Sequence, residues 1–115
     1  SIDPKGQDVL KKLAVVLEQN EDINIMVEGH TDNVPLNSSG PISDNWDLSV
    51  RRATAVVKII TDNSKVDPSR LTAAGRGEHV PVASNKTKAG RTENRRTEII
   101  LTPKLDELLE ILGEE

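Results

Sequence analysis

The stretch INIMVEGHTDN, residues 23–33, decides the fold, because a strand pattern gives way there to a polar loop. Ile23, Ile25 and Val27 alternate with polar residues, which predicts a half-buried β-strand that stops at Gly29. The loop after it, residues 30–44, is polar and is interrupted by prolines and a glycine. A long ordered loop after a strand is usually functional, so we expect binding chemistry here.

A helical pattern lies on each side of this strand. Asp3 is a predicted N-cap and Pro4 suits the first helical position, and apolar residues then recur at helical spacing. A second helix begins after Ser43 or Asp44 and extends to about Ile60.

The rest of the chain adds two strands and a final helix. Residues 70–75 predict a short strand, residues 77–90 a polar loop and residues 96–101 a third strand. The predicted order α-β-α-β-β-α indicates an α+β fold, with a small sheet whose helices pack on one face. We expect one domain over residues 1–102 and a C-terminal amphipathic helix over residues 103–115. Packing of this helix on the domain is favoured over the alternative, self-association.

Composition excludes several classes of function. A chain of 115 residues with 35% hydrophobic and 30% charged residues predicts one globular domain. Trp46 is the only aromatic residue and the net charge is −4, which both argue against nucleic-acid binding. The absence of cysteine removes disulfides, thiolate zinc sites and cysteine nucleophiles. No apolar run approaches the roughly 20 residues of a membrane span, so we expect any membrane anchor to lie elsewhere in the parent protein.

Asp32 and Arg52 are the candidate binding pair. If the loop folds back over the start of the second helix, the two side chains face one pocket. A carboxylate can take an ammonium group and a guanidinium can take a carboxylate, so the pair suits a zwitterion. The free end of diaminopimelate in cell-wall stem peptides has this chemistry. A purely structural interpretation stays open, in which Asp32 forms a local Asx turn and Arg52 pairs with Asp47 or Glu28.

Other polar residues suggest weaker hypotheses. His30 with Asp32 resembles a metal-ligand pair, but with two histidines and no cysteine we expect a hydrogen bond in the loop instead. Ser49 lacks the motif around a hydrolase nucleophile and is interpreted as an ordinary helix residue. Trp46 is expected to be a packing anchor for the loop.

Arg91, Arg95 and Arg96 form a basic cluster with two open interpretations. They either solvate a loop and strand edge, pairing with Glu93 or Glu98, or one of them braces the loop or contacts an anionic ligand. Strand alternation places Arg95 and Arg96 on opposite faces, so they are expected to play different roles.

Five stretches, taken together in this order, resemble the OmpA-like, or OmpA/MotB C-terminal, domain family. They are VEGHTDNVP (27–35), NWDLSVRRA (45–53), LTAAG (71–75), Pro81 with the NKT of residues 85–87, and GRTENRRTEI (90–99). The resemblance covers nearly all of residues 3–101, and the proline after GHTDN and the NWDLS stretch are most similar to the MotB-like branch.

The resemblance implies a mixed βαβαβ-type sheet with helices on one face. It also implies noncovalent binding of the diaminopimelate-containing peptide of peptidoglycan, without a cofactor or turnover, by a periplasmic domain of an outer-membrane or envelope protein in a Gram-negative bacterium. Asp32 would take the ammonium group and Arg52 the carboxylate. Secondary ligand residues carried over by the resemblance are Thr31, Asn33, Leu48 and Arg96.

The chain departs from the family at its start, because the family has a strand before the first helix and almost nothing precedes Asp3 here. Three alternatives to the anchoring function remain at this point: a wall hydrolase, the wall-anchoring part of a MotB-like stator, and a protein-interaction module. The oligomeric state is not predicted.

Overall fold

A three-stranded sheet organises the computed structural model, which describes residues 3–36, 40–103 and 109–113. Its strands are β1 (Ile23–Gly29), β2 (Leu71–Gly75) and β3 (Thr97–Pro103), in the order β2-β1-β3. β1 pairs in parallel with β2 and antiparallel with β3, so the sheet is mixed and β1 is central. The predicted strand at residues 23–29 is confirmed.

The two long helices begin at capping residues that satisfy free backbone N–H groups. α1 (Pro4–Gln19) begins after Asp3, whose carboxylate accepts a hydrogen bond from the Gly6 N–H as expected. α2 (Asn45–Asp62) begins after Asp44, which accepts from the Asp47 N–H. Of the two predicted caps, Asp44 is therefore the N-cap.

The core lies between these helices and one face of the sheet. β1 turns Ile25 and Val27 towards the helices, while Met26 on the opposite face is partly exposed. α2 contacts the strand so closely that a Cβ on Gly29 would lie 2.0 Å from the backbone oxygen of Ser49. This contact places the first turns of α2 beside the loop that follows β1. The buried apolar side chains are Leu10, Ala14, Leu17, Ile25, Val27, Ala53, Val56, Ile60 and Val66.

A third helix was missed by the sequence prediction. α3 (Lys88–Asn94) begins inside the segment predicted as a loop, so the predicted element order is wrong at this point. Its buried residues are Gly90 and Asn94, neither of which is apolar in side chain, so hydrophobic periodicity could not reveal it. Thr87 caps the helix by accepting from the Gly90 N–H.

The end of the chain is described in part. β3 continues to Pro103, two residues beyond the predicted Leu101. In the described part of the predicted tail helix, Ile111 and Leu112 are 78% and 61% exposed. Leu105 and Leu108 lie outside the described residues, so packing of this helix on the domain stays a prediction. None of the described helices has the length and apolar character of a membrane span.

Candidate functional site

Asp32 lies in the loop after β1 and uses both of its carboxylate oxygens. Oδ1 accepts a hydrogen bond from the Val34 N–H at 3.0 Å, which is the local turn that the structural interpretation predicted. Oδ2 accepts from Arg95 Nη1 at 2.7 Å, across 63 residues of sequence. The Asp32 side chain is only 9% exposed. The carboxylate is therefore shielded from water and already holds a cation.

The loop folds back over the start of α2, as the sequence analysis required. Asn45, the first residue of α2, donates from Nδ2 to the backbone oxygens of Asp32 and Val34, at 3.3 and 3.1 Å. Thr31 donates its N–H to the Gly77 oxygen at 2.9 Å and its hydroxyl to the Asp32 oxygen. These bonds hold the backbone around Asp32 in one conformation.

Arg52 projects from α2 towards the same loop. Its Nη1 donates to the backbone oxygen of His30 at 3.2 Å, which uses one of the five N–H donors of a guanidinium. Burial lowers the pKa of Arg52, and the positive charge of Arg95 lowers it further, while Asp32 opposes both effects. An arginine stays protonated despite such a shift. Asp32, Arg52 and Arg95 thus form one electrostatically coupled group.

Strand pairing brings the third member of this group into place. The register of β1 and β3 sets Gly29 opposite Thr97, and the His30 N–H donates to the Arg96 oxygen at 2.9 Å. The residue just before Arg96 therefore lies beside the loop that contains Asp32. The sequence analysis placed Arg95 in a basic cluster with one member that could brace the loop, but the ligand residue carried over by the resemblance was Arg96.

An open cleft of about 580 Å³ lies beside this group. We call it the arginine cleft, and its lining residues are Ile42, Leu48, Arg51, Arg52, Ala55, Arg95, Arg96 and Thr97. Leu48, Arg52 and Arg96 were all predicted as ligand residues. Asp32 does not line the cleft itself, but it is paired with Arg95, which does. The exposed chemistry of the cleft is therefore cationic and suits a carboxylate.

The two adjacent arginines have different partners, but the predicted reason is wrong: both residues precede β3, so strand alternation does not apply to them, and both line the arginine cleft. Arg96 donates from Nε to Glu98 at 2.7 Å and from Nη2 to the Val80 oxygen at 2.9 Å. The hydrogen bond from Arg96 is the main cause of the lowered pKa of Glu98. Arg95 instead binds Asp32 and donates from Nη2 to Thr92 Oγ1 at 3.0 Å.

Asn94 fixes the segment that presents Arg95. Its side chain is fully buried, at 0% exposure, and makes four hydrogen bonds. Oδ1 accepts from the N–H groups of Val82 and Ala83, and Nδ2 donates to the Ala83 oxygen and to Asn85 Oδ1. One amide thereby joins the C-terminus of α3 to the preceding loop. The sequence analysis did not single out Asn94, since a buried amide leaves no periodic signal.

A histidine–carboxylate cluster lies behind the loop. Ligand atoms of Glu28, His30 and Glu98 are within 4.8 Å of one another, which would allow a metal ion. His30 Nε2 lies 2.7 Å from Glu28 Oε1, so its hydrogen bond is to the strand and not within the loop as expected. Arg96 pairs with Glu98, and Arg76 lies 3.9 Å from Glu28. Because each carboxylate already has an arginine nearby, a metal ion would have to compete with both.

The remaining candidates occupy structural or exposed positions. Ser49 is completely buried, donates to the Trp46 oxygen and accepts from the Gly77 N–H, so its hydroxyl joins α2 to a turn. Trp46 is half exposed and packs on His79 with 4.8 Å between ring centroids. Asn33 is exposed at the loop surface.

The model of the OmpA family matches residues 1–95. The chain belongs to the OmpA family. It is 43% identical over 94 residues to motility protein B of Bacillus subtilis, and 42% identical over 97 residues to outer membrane porin F of Pseudomonas fluorescens. These matches cover 82% and 84% of the chain but only 36% and 28% of the two relatives. The chain thus spans about a third of the length of these relatives.

A solved structure extends the likeness to the fold. The peptidoglycan-associated lipoprotein of Burkholderia pseudomallei superposes with a TM-score of 0.77 and 25% identity. The match covers 89% of this chain and 81% of the lipoprotein. The OmpA-like α+β fold predicted from the sequence is confirmed. By name, these three proteins are a motility protein, an outer-membrane porin and a lipoprotein, and none is named as an enzyme.

Proposed function

We propose that this OmpA-family domain binds peptidoglycan noncovalently, through the diaminopimelate of the stem peptide, and anchors an envelope protein to the cell wall. The observation that carries the proposal is the electrostatic group of Asp32 and Arg52 beside the arginine cleft. The similarity to a lipoprotein named for its association with peptidoglycan supports the polymer as the partner.

The chemistry of the site matches the free end of diaminopimelate. That end carries an ammonium group and a carboxylate on one carbon. The ammonium is proposed to bind Asp32, and the carboxylate is proposed to bind the free N–H donors of Arg52 in a forked geometry. Leu48 and Arg96 line the cleft where the rest of the peptide would lie, and Thr31 shapes the loop. Asn33 is proposed as an outer contact.

The domain is proposed to act by binding alone, in the periplasm, as part of an outer-membrane or other envelope protein. A single small site gives modest affinity, whereas many stem peptides on one polymer raise the total strength of attachment. The similarity to motility protein B favours one specific variant of this function, the wall-anchoring part of a stator.

A titration of the isotope-labelled domain followed by NMR tests the proposal. A stem peptide with diaminopimelate is expected to shift amide signals of residues 30–33 and 48–52, and Asp32→Ala and Arg52→Ala are expected to abolish the shifts while the remaining spectrum stays folded. The peptide with lysine in place of diaminopimelate lacks the second carboxylate and is expected to bind far more weakly.

Three outcomes would contradict this assignment. No shift with either peptide would exclude wall binding and favour a protein-interaction module. Loss of the folded spectrum in both variants would mean that the pair is structural. Release of soluble products from peptidoglycan would instead indicate a hydrolase.

A further inference from the structure

Arg95 occupies the position at Asp32 that a ligand ammonium would need. The Asp32 side chain is 9% exposed, whereas the Arg95 side chain is 40% exposed and lines the arginine cleft. Oδ1 of Asp32 is committed to the Val34 N–H, and Oδ2 is bound to Arg95 Nη1 at 2.7 Å. An incoming ammonium therefore meets Arg95 before it reaches the carboxylate.

We propose that Arg95 is a specificity-determining residue, which makes ligand binding an exchange of ion-pair partners at Asp32. The inference rests on the proposed function and deepens it. In the free domain Arg95 neutralises Asp32, and in the complex the ligand ammonium takes its place. Arg95 then needs a new anion, and the ligand carboxylate provides one that Arg95 shares with Arg52 in the cleft that both line.

The charge balance of the site explains the selectivity that follows. Asp32, Arg52 and Arg95 together carry a net charge of +1 when all are ionised. A zwitterionic end leaves this balance unchanged. A lone ammonium, as in a lysine peptide, raises it to +2 and leaves Arg95 without a partner. Arg95 thus disfavours the lysine peptide and favours the diaminopimelate peptide.

The anchoring of Arg95 allows this exchange without unfolding the site. Its second contact is Nη2 to Thr92 Oγ1 at 3.0 Å, within α3 and its C-cap, and does not depend on Asp32. The loop around Asp32 is fixed independently, by Asn45 and by the Thr31 N–H. Both partners therefore keep their backbone positions when the ion pair opens.

The test compares the affinity of the two stem peptides for the wild-type domain, Arg95→Gln and a matched control, Arg91→Gln. Arg91 is on α3, its Nη1 donates to the Asn85 oxygen, and it neither pairs with Asp32 nor lines the arginine cleft, so the control loses the same charge outside the ion pair. We expect Arg95→Gln to reduce the ratio of diaminopimelate to lysine affinity by about tenfold or more, since a unit charge within about 5 Å changes affinity by about that factor. The lysine peptide is expected to bind this variant more tightly than it binds the wild type.

Each outcome has a separate meaning. An unchanged ratio in Arg95→Gln, or the same change in Arg91→Gln, would overturn the inference while leaving peptidoglycan binding intact. Absence of binding by the wild type to both peptides would overturn the proposed function itself. The amide spectrum of each variant checks that the loop after β1 remains folded, and Arg95→Lys, which keeps the charge, is expected to retain most of the selectivity.

Discussion

Replacing the buried Asn94 with alanine is expected to destabilise the domain more than the same replacement of an exposed asparagine. The substitution removes four hydrogen bonds at a site of 0% exposure. A protein hydrogen bond contributes about 1 kcal/mol net, which gives about 4 kcal/mol for the set. Val82 is exposed, so water can replace one lost partner there, and the expected loss is about 3 kcal/mol.

Urea denaturation followed by circular dichroism measures this loss. Asn85→Ala is the matched control, because it removes one side-chain partner of Asn94 and leaves its other three bonds. The control is expected to lose about 1 kcal/mol. A thermal midpoint lower by about 10 °C should accompany the larger loss.

A loss in Asn94→Ala no larger than that of Asn85→Ala would refute the reasoning, because it would mean that the buried amide does not hold the loop to α3. The same variant should also weaken binding of the diaminopimelate peptide, since Arg95 directly follows Asn94. Full retention of that affinity would show that the position of Arg95 does not depend on this network.

Substitutions at two further positions test contacts that hold the fold together. Gly29→Ala would place a methyl group 2.0 Å from the Ser49 backbone oxygen, so we expect α2 to be displaced. The free energy of unfolding, measured by denaturation, is expected to fall by about 3 kcal/mol, and a loss below about 1 kcal/mol would contradict the close contact. Arg70→Leu is expected to cost about 3 kcal/mol and Arg70→Lys clearly less, because the guanidinium donates to three backbone oxygens at once. The three acceptors are the backbone oxygens of Leu17, Asn20 and Ile23. Equal losses in the two Arg70 variants would show that these hydrogen bonds do not stabilise the fold.

Local chemistry made much of the fold predictable. Asp3 and Pro4 predicted the start of α1. A capping side chain and the restricted φ angle of proline affect only the residues next to them, so both signals can be identified in the sequence. The alternation from Ile23 to Val27 marks β1, because one face of the strand is buried and the other is not. The periodicity argument failed for α3, because its buried residues are Gly90 and Asn94, and the Thr87 cap was the one local signal of its start.

The site was predictable only in part. Asp32 and Arg52 could be proposed as a pair from their charges and from their places after a strand and on a helix. The partner of Asp32 could not, because Arg95 is 63 residues away and the sequence left open which of Arg91, Arg95 and Arg96 would brace the loop.

The amino-acid sequence by itself therefore determined the helices α1 and α2, the strands, the family and the charges available for binding. Only the tertiary structure decided which charges meet. The antiparallel register of β1 and β3 sets Gly29 opposite Thr97, and this brings Arg95 to Asp32 while Arg96 turns to Glu98. Pairing between distant strands depends on the global arrangement of the chain, and periodicity within a strand carries no information about it.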